Sequence, residues 1–414
     1  RSKRLFIFEP ECSSSLGHSL NSLHQYSKFF KKKLKVYCIT SALLEKKFFF
    51  KEGQILNIIN FKEGCFKIKD FFNFLKNLFF FIYKIFFFIT LIIYDKNFLY
   101  LIKACAKLYF IPRYIPDLYK LKKNKKINKN DSIFIPSGRP HILQSILFLY
   151  FLDKKNFPTI HFRIVHPVKF RKNRDNFFKY LDFFENLKLI NKKIFFYAEN
   201  NRYKDTLERF HKLDTSIFNG ISITKSEKSN KNITISFLGE SKNYKGFYKI
   251  PKIIKILQKK YSKKIKFIIQ VSKKNKEIHS TYLKLKKIAS LNKNVKIIEG
   301  SIDNLEFEKY LSITDIMPLL HPLNRAKTFG SGFIYTCIGA EIIMIIPKGA
   351  NDWKKVIPCK SYLEADSIDS YAKKIIFIIK KMRKYKQLVN ITKKIYLNKI
   401  KNSKLIRRIL KNEN

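Results

Sequence analysis

Between Ile235 and Pro251 the sequence reads ISFLGESKNYKGFYKIP. An apolar run ends at Gly239, a mostly polar stretch follows, and Lys245-Gly246 opens a helix-like segment. A glycine lets backbone N–H groups come close to an anion, and a helix amino end carries about half a positive charge. Together they can cradle a phosphate, with Lys245 neutralising it. A plain strand-to-helix turn would use the same residues. Downstream, Ser331-Gly332 at another helix start offers a second anion nest, and Arg325 or Lys327 just before it can add charge. Gln270 closes the apolar run KFIIQ and stands where a strand end could touch a nucleotide.

Candidates for acid–base work lie in the first half. His18 follows Gly17 at a predicted helix start and can act as a general base or hold an acceptor. Read blandly, it is an ordinary first-turn residue. In PSGRPHILQ, Arg139 and His141 stand just past a strand end. In HFRIVHP, His161 and Arg163 share one strand face, either lining a cleft or forming a satisfied core pair. Trp353, past another strand end, reads first as packing. The six cysteines include no C-x-x-C pair, and no Cys/His cluster has zinc spacing. The chain therefore reads as reduced, cytosolic and without structural metal.

Such residues need a scaffold that brings strand ends together. Apolar runs at 4–10, 34–40, 131–138, 158–165 and 192–199 alternate with helix-like stretches. The second half repeats the rhythm, with strands predicted at 232–239, 264–272, 294–301, 315–320 and 341–347. Helices are predicted at 246–260, 276–291, 304–313, 331–340 and 368–384. This alternation predicts parallel sheets, and 414 residues are too many for one core. The expectation is an α/β chain of two tandem doubly wound domains facing a cleft. One domain spans 1–225, the second 226–384, and a helical tail over 385–414 can return to the first. Ligands then belong at the carboxyl ends of the strands.

The formal charge is +54. Such an excess favours anionic partners, nucleic acid or anionic lipid among them. The surplus is spread along the chain and coincides with abundant Asn, Ile, Phe and Tyr, so AT-rich codon usage accounts for it as well. Interleaved aromatic–basic signatures of the common RNA modules are absent from the sequence. Residues 66–112 are rich in Phe and Ile, and from Leu78 to Tyr94 only Lys84 and Thr90 interrupt the apolar run. That is short of the ~20 residues a spanning helix needs. A buried helix is expected, or one resting on an anionic membrane surface. The amino-terminal apolar run, Leu5 to Phe8, is too short for a secretory signal.

FLGESKNYKGFYKIPKII followed by KFIIQ resembles bacterial glycosyltransferases of the GT-B fold, in the family-4-like group. VKIIEGSIDNLEFEKYLSITDIMPLLHP and RAKTFGSGFIYTCIGAEIIMIIP are similar to that group's later blocks, and FEPECSSSLGHSLNSLHQY to its first strand and Gly-His helix start. The resemblance implies a metal-independent transfer of sugar from a UDP- or GDP-sugar to a cell-surface glycan or lipid-linked acceptor. The donor would sit on the second domain and no cofactor is implied. The group usually has Arg after the first glycine, where this chain has Glu240. Its ribose-binding Glu falls on Thr336 and its helix-ending Gly on Glu341. Those departures keep open a relative that binds donor without turnover, and charge alone keeps open an anion or nucleic-acid binder.

Overall fold

A computed structural model of the chain describes residues 3–9, 23, 26–41, 54–59, 121–122, 124–164, 181, 184–198, 211–212, 232–261, 264–271, 276–300, 302, 304–328 and 332–411. The chain divides into two compact units. The first takes in Arg1–Ser14, Phe30–Lys212 and Arg408–Asn414, the second Ser15–Phe29 and Leu213–Arg407. Of the tail predicted over 385–414, the residues up to Arg407 cluster with the second unit and Arg408–Asn414 with the first.

In the first unit seven strands form one parallel sheet: β1 (Arg4–Glu9), β2 (Lys35–Ser41), β3 (Gln54–Ile59), β4 (Ser132–Gly138), β5 (Thr159–Ile164), β6 (Ile194–Ala198) and β7 (His211–Lys212). Their order is β3-β2-β1-β4-β5-β6-β7. The chain reverses direction across the sheet between β1 and β4, as in doubly wound nucleotide-binding folds. The central strands are buried along nearly their whole length, which is why they read as unbroken apolar runs. Arg4 clamps the start of the sheet with a two-pronged bond to Asp131, at 2.9 and 2.6 Å. Helix α1 (Pro140–Leu152) follows β4, with proline at its first turn. Arg408 completes this unit by stacking over Phe195, 4.4 Å from the ring centre.

The second unit repeats the plan with β8 (Ile233–Phe237), β9 (Ile265–Val271), β10 (Val295–Glu299), β11 (Ile316–Pro318), β12 (Ile343–Pro347) and β13 (Tyr362–Ala365). Their order is β10-β9-β8-β11-β12-β13, all parallel, so each unit is Rossmann-like. Helices α2 (Ile250–Tyr261), α3 (His279–Ser290), α4 (Asn304–Ile313), α5 (Leu323–Thr328), α6 (Gly332–Gly339), α7 (Asn351–Val356), α8 (Ile368–Lys380), α9 (Met382–Lys401) and α10 (Lys404–Lys411) follow in order. Helix α2 buries Ile250, Ile253, Ile254 and Leu257, one face at helical spacing, against the sheet. The switch point lies between β8 and β11, so the turn after Gly239 and the segment after β11 meet at the carboxyl edge. The helix predicted over 368–384 is two helices, broken at Lys381. Glu341, where the family resemblance expects glycine, has φ +52 after α6. Its carboxylate accepts a 2.8 Å bond from Lys393, which offsets a left-handed conformation that costs about 1 kcal/mol.

The Phe-rich segment 66–112, with its run 78–94, lies outside the described residues. No helix among the described residues is long and apolar enough to cross a membrane.

Candidate functional site

The strongest constellation sits at the carboxyl edge of the second sheet. Leaving β8, the chain turns at Gly239, whose φ of +103 L-residues with a side chain rarely adopt. A Cβ there would lie 2.8 Å from the Phe333 ring, so the turn lies directly against the amino end of α6. At Gly246, φ is +82 and a Cβ would fall 2.1 Å from the Leu320 carbonyl oxygen just past β11. Both glycines are thus required by backbone conformation and by close approach, one towards α6 and one towards the end of β11.

The turn between them is held from behind. The Gly239 N–H donates to Gln270 Oε1 at 2.8 Å, and the Ser241 hydroxyl donates to the Gln270 carbonyl at 2.9 Å. Gln270 Nε2 reaches the Gly300 carbonyl at 3.4 Å. Asn243 is fixed on the other side, its N–H donating to Glu277 Oε1 at 2.8 Å and its amide to the Glu277 carbonyl at 2.7 Å. This corrects the expectation for Gln270. The side chain is buried and used on two backbone groups, so it positions the glycine turn instead of facing a nucleotide.

Lysines line the front of the turn. Lys242 and Lys245 both pair with Glu240, at 2.5 and 2.9 Å. Burial pushes the Glu240 carboxyl up, but the bonds and charges of the two lysines outweigh it and hold it below its ordinary value. Glu240 raises Lys242 in return. The acid beside Gly239 therefore occupies the two ammonium groups that a phosphate would use, leaving the trio one positive charge in excess. Sequence reasoning missed Lys249, one turn into the helical segment. Its Nζ donates to the Leu320 carbonyl at 3.3 Å, and burial lowers its pKa. Only the fold shows that this first-turn lysine returns to the end of β11. His321 was also missed, although it stands just past that strand; its ring packs edge-on against buried Trp353 at 5.2 Å. Trp353 itself is a packing residue.

The other predicted donor groups vary. Gly332 opens α6 beside the Gly239 turn through its neighbour Phe333. Thr336 is buried and its hydroxyl donates to the Gly332 carbonyl at 3.2 Å, one turn back in the same helix. That bond uses the hydroxyl proton, so toward a ribose Thr336 offers only an acceptor oxygen. Arg325 lies in α5, and no placement of its side chain is described; Ser331 lies outside the described residues.

In the first unit, Arg139 is the residue before α1, past the carboxyl end of β4, and is half-buried. His141 follows in the first turn of α1, its side chain not described. Gly17 and His18 fall outside the described residues. His161 and Arg163 are corrections. His161 is fully buried, stacked on Phe195 at 5.6 Å, with Nδ1 3.0 Å from the Tyr197 hydroxyl. Burial, then the charges of Lys3 and Arg408, depress its pKa to about 3, so it stays a neutral core imidazole. Arg163 is also buried, one of its N–H groups pointing at the Pro136 carbonyl at 3.5 Å. Both side chains are buried within the first unit, which leaves neither open to an acceptor. No group of three or more metal-ligating side chains occurs among the described residues.

No family model matches the sequence, and a search of curated proteins finds no match. Solved structures do match. A glycosyltransferase from Rickettsia africae shares 13% identity at a TM-score of 0.54, over 100% of both chains. Anabaena HepE, solved with UDP and glucose, shares 11% identity at 0.55, over 96% of this chain and 95% of its own. A UDP-N-acetylglucosamine 2-epimerase shares 10% identity at 0.55, over 94% and 91%. At these identities the likeness is one of fold, and it extends along nearly the whole chain: the protein has the GT-B fold of two tandem Rossmann-like units.

Proposed function

We propose that the protein is a glycosyltransferase that takes a nucleotide-diphosphate-sugar donor on its second unit. The observation carrying this reading is the pre-held turn 239–246, with its two left-handed glycines, its lysines and the adjoining amino end of α6 at the switch point. The arrangement suits a diphosphate: backbone dipoles and Lys245 stabilise the negative charge that grows as the sugar–phosphate bond breaks. The acceptor hydroxyl forms the new bond to the anomeric carbon, and the diphosphate leaves with the electron pair. A base takes the hydroxyl proton, and His18 and His141 are the groups proposed for it, with Arg139 on the acceptor side. Lysine and helix dipole supply the positive charge, so the proposed transfer is metal-independent. The acceptor is a glycan or lipid-linked saccharide of the cell surface, reached from the cytoplasmic side.

The test is a thermal-shift series with UDP, GDP and CMP, followed by mass spectrometry of products from the corresponding sugar conjugates. A nucleotide-selective shift that Lys245→Ala abolishes is expected. No shift with any nucleotide would overturn the donor site. A shift without transfer would support the second reading, a donor-binding relative without turnover, which the Glu240 pairing and the inward-bonded Thr336 hydroxyl favour. Conversion of a UDP-sugar to its epimer would replace transfer by epimerisation.

A further inference from the structure

Helix α9 presents an unusual outer face. Between Asp369 and Glu413 the sequence contains no acidic residue and carries 12 Lys and 3 Arg. One side of α9 is used for packing, with Tyr385, Val389, Thr392, Tyr396 and Ile400 buried. On the opposite side Ile391 is 46% exposed and Ile395 37%, side by side at helical spacing. Exposed Arg383, Lys384, Lys394 and Lys399 flank them. None of these four forms an ion pair with a described residue. The ion pairs of α9 are made instead on its inner flanks, by Lys386 with Asp315 at 3.7 Å and Lys393 with Glu341 at 2.8 Å. Asp315 and Glu341 immediately precede β11 and β12. Lys386 and Lys393 thus hold this stretch of α9 beside the amino ends of β11 and β12, while farther along Tyr396 packs against Tyr335 of α6, 6.0 Å between ring centres.

We infer that this face of α9 docks on an anionic lipid bilayer. A second copy of the same face would repel it, charge for charge. Nucleic acid would satisfy the lysines but leave two aliphatic side chains in the middle of a polar contact. An anionic membrane meets both: headgroups take the basic rim while Ile391 and Ile395 enter the headgroup–acyl boundary. The inference does not depend on the donor reading.

The experiment is co-flotation of the full chain with vesicles of phosphatidylcholine alone and with about one third phosphatidylglycerol, at low and high salt. Binding is expected only to the anionic vesicles, with release at high salt. The variant Lys384→Gln/Lys394→Gln/Lys399→Gln should weaken it roughly a hundredfold, about fivefold for each lysine. Ile391→Asn/Ile395→Asn should weaken it with the charge intact. Unchanged melting temperature in both variants shows that the fold survives these exposed changes. Equal binding to neutral vesicles, no binding to anionic ones, or full binding by both variants overturns the inference; so does loss of RNA binding in the lysine variant with vesicle binding unchanged. The UDP thermal shift of both variants is read in parallel. Its failure in the unsubstituted protein would count against the donor site alone.

Discussion

Replacing Glu240 by Gln should tighten nucleotide binding. The Glu240 carboxylate lies 2.5 Å from Lys242 and 2.9 Å from Lys245. A phosphate held by the same ammonium groups at ~2.8 Å would lie about 5 Å from the carboxylate. Two unit charges at that separation repel by about 0.8 kcal/mol at the dielectric of water and about 3 kcal/mol at an effective value of 20. The Glu240 side chain is 46% exposed, which places the site near the watery limit. Removing one negative charge, with shape and one hydrogen-bond acceptor kept, should therefore gain about 1 kcal/mol, roughly a fivefold lower Kd for UDP. Isothermal titration calorimetry at low and high salt measures it, and the gain should shrink as salt screens the charges. Lys245→Ala should go the other way, by about tenfold or more, because a charge-assisted bond is lost. If Glu240→Gln binds UDP no better than the unsubstituted protein at low salt, while Lys245→Ala still weakens binding, Glu240 does not face the phosphates and the reasoning fails.

Gly246→Ala and Gly300→Ala separate strain from collision. Both glycines have positive φ, +82 and +88, but only at Gly246 does a Cβ meet backbone, 2.1 Å from the Leu320 oxygen. Calorimetry should show a loss of about 1 kcal/mol for Gly300→Ala and about 2–4 kcal/mol for Gly246→Ala; equal losses would refute the close approach. Gln270→Ala strips the Gly239 N–H of its acceptor and should cost about 1–3 kcal/mol in urea unfolding while also weakening UDP binding; a stability loss without a binding loss would show that the turn needs no holding. His161, with its pKa near 3 when folded against about 6.5 unfolded, makes stability fall as pH drops from 6.5 towards 3, because only the unfolded chain takes up the proton. Its contribution has a slope of up to ~1.4 kcal/mol per pH unit. His161→Phe, which keeps the stacking on Phe195, should flatten the unfolding midpoint between pH 6 and 4, about the range set by those two values, and an unchanged pH profile would contradict the buried neutral imidazole.

The alternating strands were legible because buried parallel strands leave uninterrupted apolar runs: the LFIF of β1 and the IMIIP of β12 have no polar face to show. Where that condition fails, so does the reading. Strand β13, YLEA, is partly exposed along most of its length and carries a glutamate, and β3, QILNII, is broken by polar residues; neither stands out. Both are edge or near-edge strands that pairing, not composition, defines. The glycines of the site were legible for a related reason, since left-handed backbone and close approach admit little else. Side-chain direction was not. Gln270, His161 and Arg163 sit at positions that a sequence can place near a strand end or on a strand face, yet hydrogen bonds to distant backbone or burial within the sheet turn them away. The Glu240 pairing is similar: an acid between two lysines reads as a liability until the turn brings all three together.

That pairing, with the tethers behind it, bears on how such a turn can bind. A flexible glycine loop would lose conformational entropy each time a phosphate ordered it. Here the ordering is already done during folding: Gln270, Ser241 and Asn243 fix the backbone from behind, and left-handed glycines accept the shape without strain. What remains unsettled without an anion is the charge, two ammonium groups close together at the surface, and Glu240 answers it from within the turn. The arrangement exchanges some affinity for an empty site that does not repel itself. It follows that Glu240→Gln should lose a little stability while it gains affinity, because the lysines then face one another without a counterion, and added UDP should restore the loss. A variant that gained in both respects would mean the carboxylate contributes nothing to the empty turn.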